Sequence, residues 1–396
     1  MIAIVGAGIF GLTAALELRA RGHAVTVYDP GPIPHPLAES TDISKVVRMD
    51  YGADADYTAL GEAALARWRA WPEFHETGVT FLARAPMQPG GFEHDSFAML
   101  AGRGHPLERL DARAIAARFP AYREGALVDG YFNPRGGWAA SGAVVARLAA
   151  EARAAGVVIE ERAITDELRA DLVTADASSP QKPHDAGLVT ADAPSPQKPH
   201  RADLTIVCAG AWVRTLVPEL ATSVRAIGQP VFHLRPADPS LFTADRFPVF
   251  GADIARTGYY GFPVTADGIV KIANHGAGTP IAHDDERIVT AAHEAHLRAF
   301  LAETFPALAD APLVATRMCV YGDTVDGHFW IARHPTRPNL AVATGGSGHA
   351  FKFAPVLGPL IADLALGVPH PLAHKFRWRP ELAASTRGDA ARARGE

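Results

Sequence analysis

The reactive side chains of this 396-residue chain gather in three stretches. The densest reads Arg317-Met318-Cys319-Val320-Tyr321, then Asp326-Gly327-His328-Phe329, then Gly345-Gly346-Ser347-Gly348-His349-Ala350-Phe351-Lys352-Phe353. It brings a thiol, a glycine-rich turn, a histidine and a lysine close together. A thiol attacks only as its thiolate, so Cys319, beside Arg317, reads first as a core residue and second as a nucleophile. The second stretch, Ser40-Thr41-Asp42-Ile43-Ser44-Lys45-Val46-Val47-Arg48, sets two cations three residues apart. On a helix, Lys45 and Arg48 would share one face. They are either a solvated basic face or an anion site. The third stretch pairs Tyr259-Tyr260-Gly261-Phe262-Pro263 with Lys271-Ile272-Ala273-Asn274-His275 in a strand-like, aromatic region. By itself Lys271 reads as an exposed strand lysine.

The elements that must position these groups begin at residue 2. Ile2 to Val5 is a short apolar run of the kind buried in a parallel sheet. Gly6-Ala7-Gly8-Ile9-Phe10-Gly11 follows, then Leu12, Ala15, Leu16 and Arg19 at helical spacing, Gly22 to end the helix, and a second strand from Ala24 to Tyr28 closed by Asp29. The glycines serve a tight turn, close approach of backbone to a pyrophosphate, and close helix–strand contact. The helix N-terminus offers free N–H groups to that pyrophosphate, and Asp29 can accept hydrogen bonds from a ribose. Strand, glycines, helix, strand and acid in register define a dinucleotide site; the motif does not separate FAD from NAD.

Further along, Gly31 to Glu39 is a proline-rich loop, and a helix carries Leu60, Ala64, Trp68 and Trp71. Residues 80–137 mix short strands and loops. Ala139 to Ala155 is a helix, Gly156 to Ile159 returns to a strand, and Leu204 to Trp212 is a buried strand ending in a glycine turn, with Cys208 in it a small core residue. Leu172 to His184 recurs almost unchanged as Leu188 to His200, a tandem duplication that lengthens a surface hairpin. His293 and His296 lie on a helix at a spacing too short for a zinc-binding pair, so they read as surface residues. Leu340 to Thr344 is a strand, Pro355 to Leu366 a last helix, and the Arg387–Glu396 tail is expected to be disordered.

Apolar residues are 48% of the chain, charged residues 20%, and the net charge is −5. No basic run points to a nucleic acid or membrane surface, and no apolar run reaches a membrane span. The length calls for two domains. Met1-Ile2-Ala3-Ile4-Val5 enters a strand at once, without the basic lead of a signal peptide. With only Cys208 and Cys319, a reducing cytoplasm is the expected location.

With these pieces placed, the chain resembles the flavoprotein amine oxidases of the D-amino-acid-oxidase superfamily, in the branch of monomeric sarcosine oxidase, N-methyltryptophan oxidase, pipecolate oxidase and the fructosyl-amino-acid oxidases. The resemblance rests on Cys319 followed by Tyr321 and Asp326, on Gly348-His349-Ala350-Phe351-Lys352-Phe353, and on Gly261-Phe262-Pro263 followed by Lys271 and His275. It covers Ile2 to about Pro380, apart from the duplication. It implies an α/β fold: a Rossmann-type FAD-binding domain (1–80, 139–218 and 325–396, with the duplicated loop 172–200) interleaved with an antiparallel-sheet α+β substrate domain (81–138 and 219–324).

The resemblance also implies roles. FAD would be held by Gly6, Gly8, Ile9, Phe10, Gly11, Asp29, Ser44, Lys45, Gly346, Gly348 and Lys352, and bound covalently through Cys319. Lys271 would activate dioxygen, Arg48 and Lys352 would grip a substrate carboxylate, and Tyr260, His275 and His349 would line the cavity, with Tyr321 a weaker candidate. Asp42-Ile43-Ser44-Lys45 follows the glycated-amine oxidases, which carry a lysine where sarcosine oxidases carry arginine. The implied reaction is oxidation of a secondary amine bearing a carboxylate: hydride transfer to the flavin, hydrolysis of the imine, and reoxidation by dioxygen to hydrogen peroxide. The implied partners are a small amino-acid-like amine and dioxygen, and the implied state is a monomer or weak dimer without a metal. Two other readings stand beside it: a dehydrogenase of the same fold passing electrons to a carrier, and a non-catalytic flavin-binding subunit.

Overall fold

The computed structural model describes residues 1–169, 172, 202–282 and 285–384. The duplication from 172 to 200, Leu172 apart, and the Arg387–Glu396 tail lie outside them. Ile2–Val5 (β1) is buried along its whole length. It runs parallel to Val25–Asp29 (β2) on one side and to Leu204–Val207 on the other, with Ile2 opposite both Val25 and Leu204. Covered on both faces, these strands are continuous apolar runs rather than alternating ones. The six-stranded sheet is ordered Trp330–Arg333, Leu340–Thr344, Leu204–Val207, β1, β2, Val158–Glu161, and only its first pair is antiparallel.

The helix Ile9–Ala20 (α1) joins β1 to β2. A Cβ on Gly11 would lie 1.8 Å from the Gly6 carbonyl oxygen, so the helix can start this close to the strand only with glycine there. Gly6 itself has φ of 106°, in the region that favours glycine.

A second, nine-stranded sheet is mostly antiparallel, and its register gathers the candidate residues. The strand Val224–Leu234 pairs with Val270–Asn274, His233 facing Lys271 and Val231 facing Ala273. On its other edge it pairs with Leu313–Thr324, Gln229 facing Cys319 and Ile227 facing Tyr321. Tyr260, on Tyr259–Gly261, faces Ala273. Side chains alternate with period two, so Lys271, Cys319, Tyr321 and Tyr260 share one face. The intervening Phe232, Leu234, Val270 and Ile272 enter an apolar core with Phe300 and Phe305 on the other.

Three expectations need correction. Lys45–Val47 (β3) is a strand paired with Gly137–Ala139, not a helix. Its β-branched Val46 and Val47 suit an extended ribbon, and sheet pairing overrides the i, i+3 pattern. Residues 80–137 contain two helices, Phe92–Gly102 and Ala112–Arg118; Asp111 caps the second by accepting the Ala114 N–H at 2.8 Å. Ala354–Leu366 is not the last helix, since a turn of helix follows at Ala373–Phe376.

Candidate active site

A cleft of about 370 Å³ opens where β1 turns into α1, lined there by Gly6, Gly8, Ile9 and Phe10 and, at the end of β2, by Asp29. Asp29 accepts the Ala7 N–H on Oδ2 at 2.7 Å and the Gly31 N–H on Oδ1 at 2.9 Å. It thereby fixes the turn, and each carboxylate oxygen keeps lone-pair capacity for a ribose hydroxyl. Gly11 does not line the cleft; its part is the close packing on Gly6. Sequence reasoning missed Ser40, whose hydroxyl accepts the Ile9 N–H at 3.0 Å and lines the cleft at the helix N-terminus.

At its far end the cleft is walled by Gly346, Gly348 and Lys45. Glu39, read earlier only as part of a connector, also reaches in: its Oε1 accepts the Gly348 N–H at 3.1 Å and its Oε2 the Gly322 N–H at 3.4 Å. Burial pushes the Glu39 carboxyl up. A Cβ on Gly348, which has φ of 74°, would meet the Tyr321 ring at 2.2 Å. An amide-lined turn at a helix N-terminus, an acid at the end of β2 and a glycine-walled far end together fit a flavin dinucleotide.

A second, smaller cavity of about 60 Å³ meets that far end, because Lys45 and Gly348 line both. Arg48, Tyr260, His275, His349 and Lys352 face it. One chain of hydrogen bonds orders its cationic wall. Lys352 Nζ donates to the His349 carbonyl at 2.8 Å and to Tyr51 Oη at 3.0 Å, and Tyr51 Oη lies 3.0 Å from His349 Nδ1. His349 Nε2 is 2.9 Å from the Gly327 carbonyl, which only accepts, so Nε2 carries the proton and Nδ1 accepts from Tyr51. Both ring nitrogens are therefore engaged. Burial, aided by the Lys352 charge, holds His349 well below the usual histidine range, so the ring is neutral.

Burial and then the Arg48 charge also pull Lys352 well below the usual lysine range. Arg48 stacks over the rings of Tyr51, 4.7 Å to the centroid, and Phe92, 5.4 Å. Its buried Nη1 has no hydrogen-bond partner among the described residues. Tyr260 and Tyr321 are hydrogen-bonded, and burial pushes Tyr260 up to about 12. His275 packs against Tyr321 with ring centroids 5.7 Å apart.

Lys271 corrects the exposed-strand reading: it is 1% exposed and lines neither cavity. Its Nζ donates to Asp42 Oδ2 at 2.6 Å and to the Ser44 carbonyl at 2.5 Å. Burial opposes ionisation of Asp42, but Lys271, His233 and Lys45 outweigh it and hold the carboxyl well below its ordinary range. Burial outweighs Asp42 at Lys271, which is pulled down to about 8. The Ser44 hydroxyl is buried without a hydrogen-bond partner among the described residues. Cys319 and Cys208 are free and buried; Cys319 Sγ lies 4.0 Å from Lys45 Nζ, and Cys208 lines the cleft near Gly6. Among the described residues no cluster of histidine, cysteine or carboxylates could hold a metal, and no helix is long and apolar enough to cross a membrane. His293 completes a helix capping box with Thr290, its Nδ1 accepting the Thr290 N–H at 3.1 Å.

A dinucleotide cleft on a parallel sheet, meeting a cation-walled cavity on an antiparallel one, defines a flavin-dependent oxidoreductase. A family described as FAD dependent oxidoreductase (DAO) matches residues 1–364, and the chain belongs to it. It is 27% identical to L-saccharopine oxidase of Schizosaccharomyces pombe over 424 residues, 97% of this chain and 94% of that one. It is 29% identical to monomeric sarcosine oxidase of Bacillus sp. over 385 residues, 92% of each chain. The solved structure of Amadoriase II, the fructosamine oxidase of Aspergillus fumigatus in complex with FSA, superposes with a TM-score of 0.76 at 27% identity, covering 98% of this chain and 92% of that one. The branch and the fold expected from the motifs are borne out: the protein is an FAD-dependent oxidoreductase of the sarcosine oxidase and fructosyl-amine oxidase kind.

Proposed function

We propose that the enzyme oxidises a secondary amine bearing a carboxylate, an N-methyl, N-alkyl, cyclic or glycated amino acid, to its imine, and returns the electrons to dioxygen as hydrogen peroxide. The observation that carries this reading is the small cavity into which Arg48 and Lys352 both project, directly at the far end of the cleft. Bound in the cleft, FAD supplies the redox chemistry, taking two electrons from the amine and yielding them to dioxygen.

The chain's own groups do the rest. Gly6, Gly8, Ile9 and Phe10 surround the nucleotide end with Asp29, the Gly6 and Ile9 N–H groups being given to the Tyr28 carbonyl and to Ser40. Gly346, Gly348 and Lys45 wall the flavin end, backed by Ser44 and by Lys352 of the adjoining cavity; Cys319 is the point of covalent attachment, with the Lys45 cation beside its sulfur. Arg48 offers a planar fork to the substrate carboxylate, and Lys352 a point charge. His349 acts by holding Tyr51 and thereby Lys352, since neither of its nitrogens is left to take a substrate proton. No strong base is required: the cations around the cavity disfavour a further cation, so the amine binds neutral. Tyr260 and His275 close the wall beside it, and Lys271 is the cation that favours electron transfer to dioxygen. We also assign 1–80, 139–218 and 325–396 to the cofactor domain around the six-stranded sheet, and 81–138 and 219–324 to the substrate domain around the nine-stranded one.

The test is a peroxide assay across N-methyl, N-alkyl, cyclic and glycated amino acids. Peroxide from one of these classes, and none from the same amine with its carboxylate amidated, is the expected result. Flavin reduction without peroxide would convert the reading to a dehydrogenase, and no flavin reduction by any carboxylate-bearing amine would overturn it.

A further inference from the structure

Behind the cation-lined cavity lies an ion pair whose carboxylate has no part in gripping an anionic substrate. The side chains of Asp42 and Lys271 are each 1% exposed and 2.6 Å apart. A carboxylate there cancels one positive charge of a site otherwise built from Lys45, Arg48 and Lys352. Burying two charges is costly, and removing one partner of such a pair leaves the other stranded, so the position is under strong physical constraint.

Several charged or titratable groups surround Lys271. From its own sheet these are His233, directly across the register, Tyr260 on the next strand, and Cys319 on Leu313–Thr324. From the segment laid over that face come Asp42 and Lys45, whose Nζ is 3.9 Å from the same Asp42 oxygen that Lys271 holds. His233 Nε2 is 3.7 Å from the other Asp42 oxygen. Asp42 is the one carboxylate in this set. An ammonium has three N–H groups, and Asp42 Oδ2 and the Ser44 carbonyl take two, which fixes the direction of the third.

We propose that Asp42 is a positioning residue acting through Lys271: it keeps the lysine charged and oriented where burial would otherwise neutralise it, and so sets the pH range over which a cation is available for the reaction with dioxygen. This rests on the assignment of Lys271 to that reaction. Without the carboxylate, burial and the neighbouring Lys45 act on Lys271 with their main opponent gone, and its titration moves to lower pH.

The experiment uses the FAD-loaded enzyme, reduced with dithionite so that no amine substrate is needed, then mixed with dioxygen across a pH series. In parallel, the visible spectrum of the resting oxidised flavin is titrated, which reports the neighbouring charge without turnover. In the wild type, reoxidation slows and the spectrum shifts as Lys271 titrates near 8. In Asp42→Asn both midpoints fall by a unit or more, so that reoxidation above the wild-type midpoint drops roughly tenfold. In Asp42→Glu, which keeps the charge, the displacement is smaller. In Lys271→Met the pH step disappears. Midpoints unchanged in Asp42→Asn, with the step lost in Lys271→Met, would overturn the role of Asp42 and leave Lys271 in place. A step that persists in Lys271→Met would overturn the assignment of Lys271 and this inference with it. Should Asp42→Asn alone not fold, the double variant with Lys271→Met removes both buried charges. Its reoxidation rate must equal that of Lys271→Met, and a further loss would show that Asp42 acts by another route.

Discussion

Replacing Arg48 with alanine is the sharpest test of the carboxylate site, because the structure supports a magnitude. The guanidinium is held by its stack on Tyr51 and Phe92, and its buried Nη1 is free to donate. A hydrogen bond to a charged group contributes about 1.5–3 kcal/mol, so losing a two-pronged grip removes about 3–6 kcal/mol. Lys352 returns part of this. The Arg48 charge is one of the two causes that lower Lys352, so removing it makes Lys352 a better ammonium. The net loss is then about 2–4 kcal/mol, a rise of roughly 30- to 1000-fold in the dissociation constant of a simple carboxylate. The assay is titration of acetate or benzoate against the visible spectrum of the bound flavin, in the wild type, Arg48→Ala and Arg48→Lys. Arg48→Lys keeps the charge without the fork and falls between the other two. A change of less than about threefold in Arg48→Ala would refute the reasoning, whatever the variant's turnover.

Lys352 adds a pH dependence of known sign. A carboxylate binds its ammonium form, and in the free enzyme its pKa lies well below the ordinary lysine value, so affinity is full below that pKa and falls about tenfold per pH unit above it. Inhibitor titration over a pH series checks this, and a flat wild-type profile, or a pH dependence that persists in Lys352→Met, would count against the role. Acid precipitation of the purified protein should carry yellow flavin into the pellet, and Cys319→Ala should release it to the supernatant; a yellow wild-type supernatant would remove Cys319 as the attachment point. Gly348→Ala places a Cβ 2.2 Å from the Tyr321 ring at a left-handed φ, a strain of about 2–4 kcal/mol that must move one wall shared by both cavities. A lower melting temperature and a reduced flavin-to-protein ratio are expected, and wild-type values for both would contradict the geometry.

The cofactor end of this protein was legible in its sequence because everything needed there is local. Strand, glycine turn, helix and acid occupy residues 2–29, and their periodicities follow from backbone geometry alone. The residues of the second cavity, Arg48, Tyr260, His275, His349 and Lys352, were named from motifs, yet nothing in their spacing shows that they face one space. That depends on the register of antiparallel strands, where a shift of one residue would turn Lys271, Cys319 and Tyr321 to the opposite face.

Only the tertiary structure decided three further matters. Lys45 lies on an extended strand, with Arg48 directly after its end, because Gly137–Ala139 pairs with Lys45–Val47, which no local propensity announces. Asp42 stood in plain view in the sequence, but a loop aspartate gives no sign that its partner, Lys271, is 229 residues away. Tyr51, 301 residues from Lys352 in the chain, was missed for the same reason. Sequence by itself determined which chemical groups this protein owns and where its strand–glycine–helix unit begins. The folded chain decided which charges are buried together, and burial is what turns an ordinary lysine and aspartate into a coupled pair.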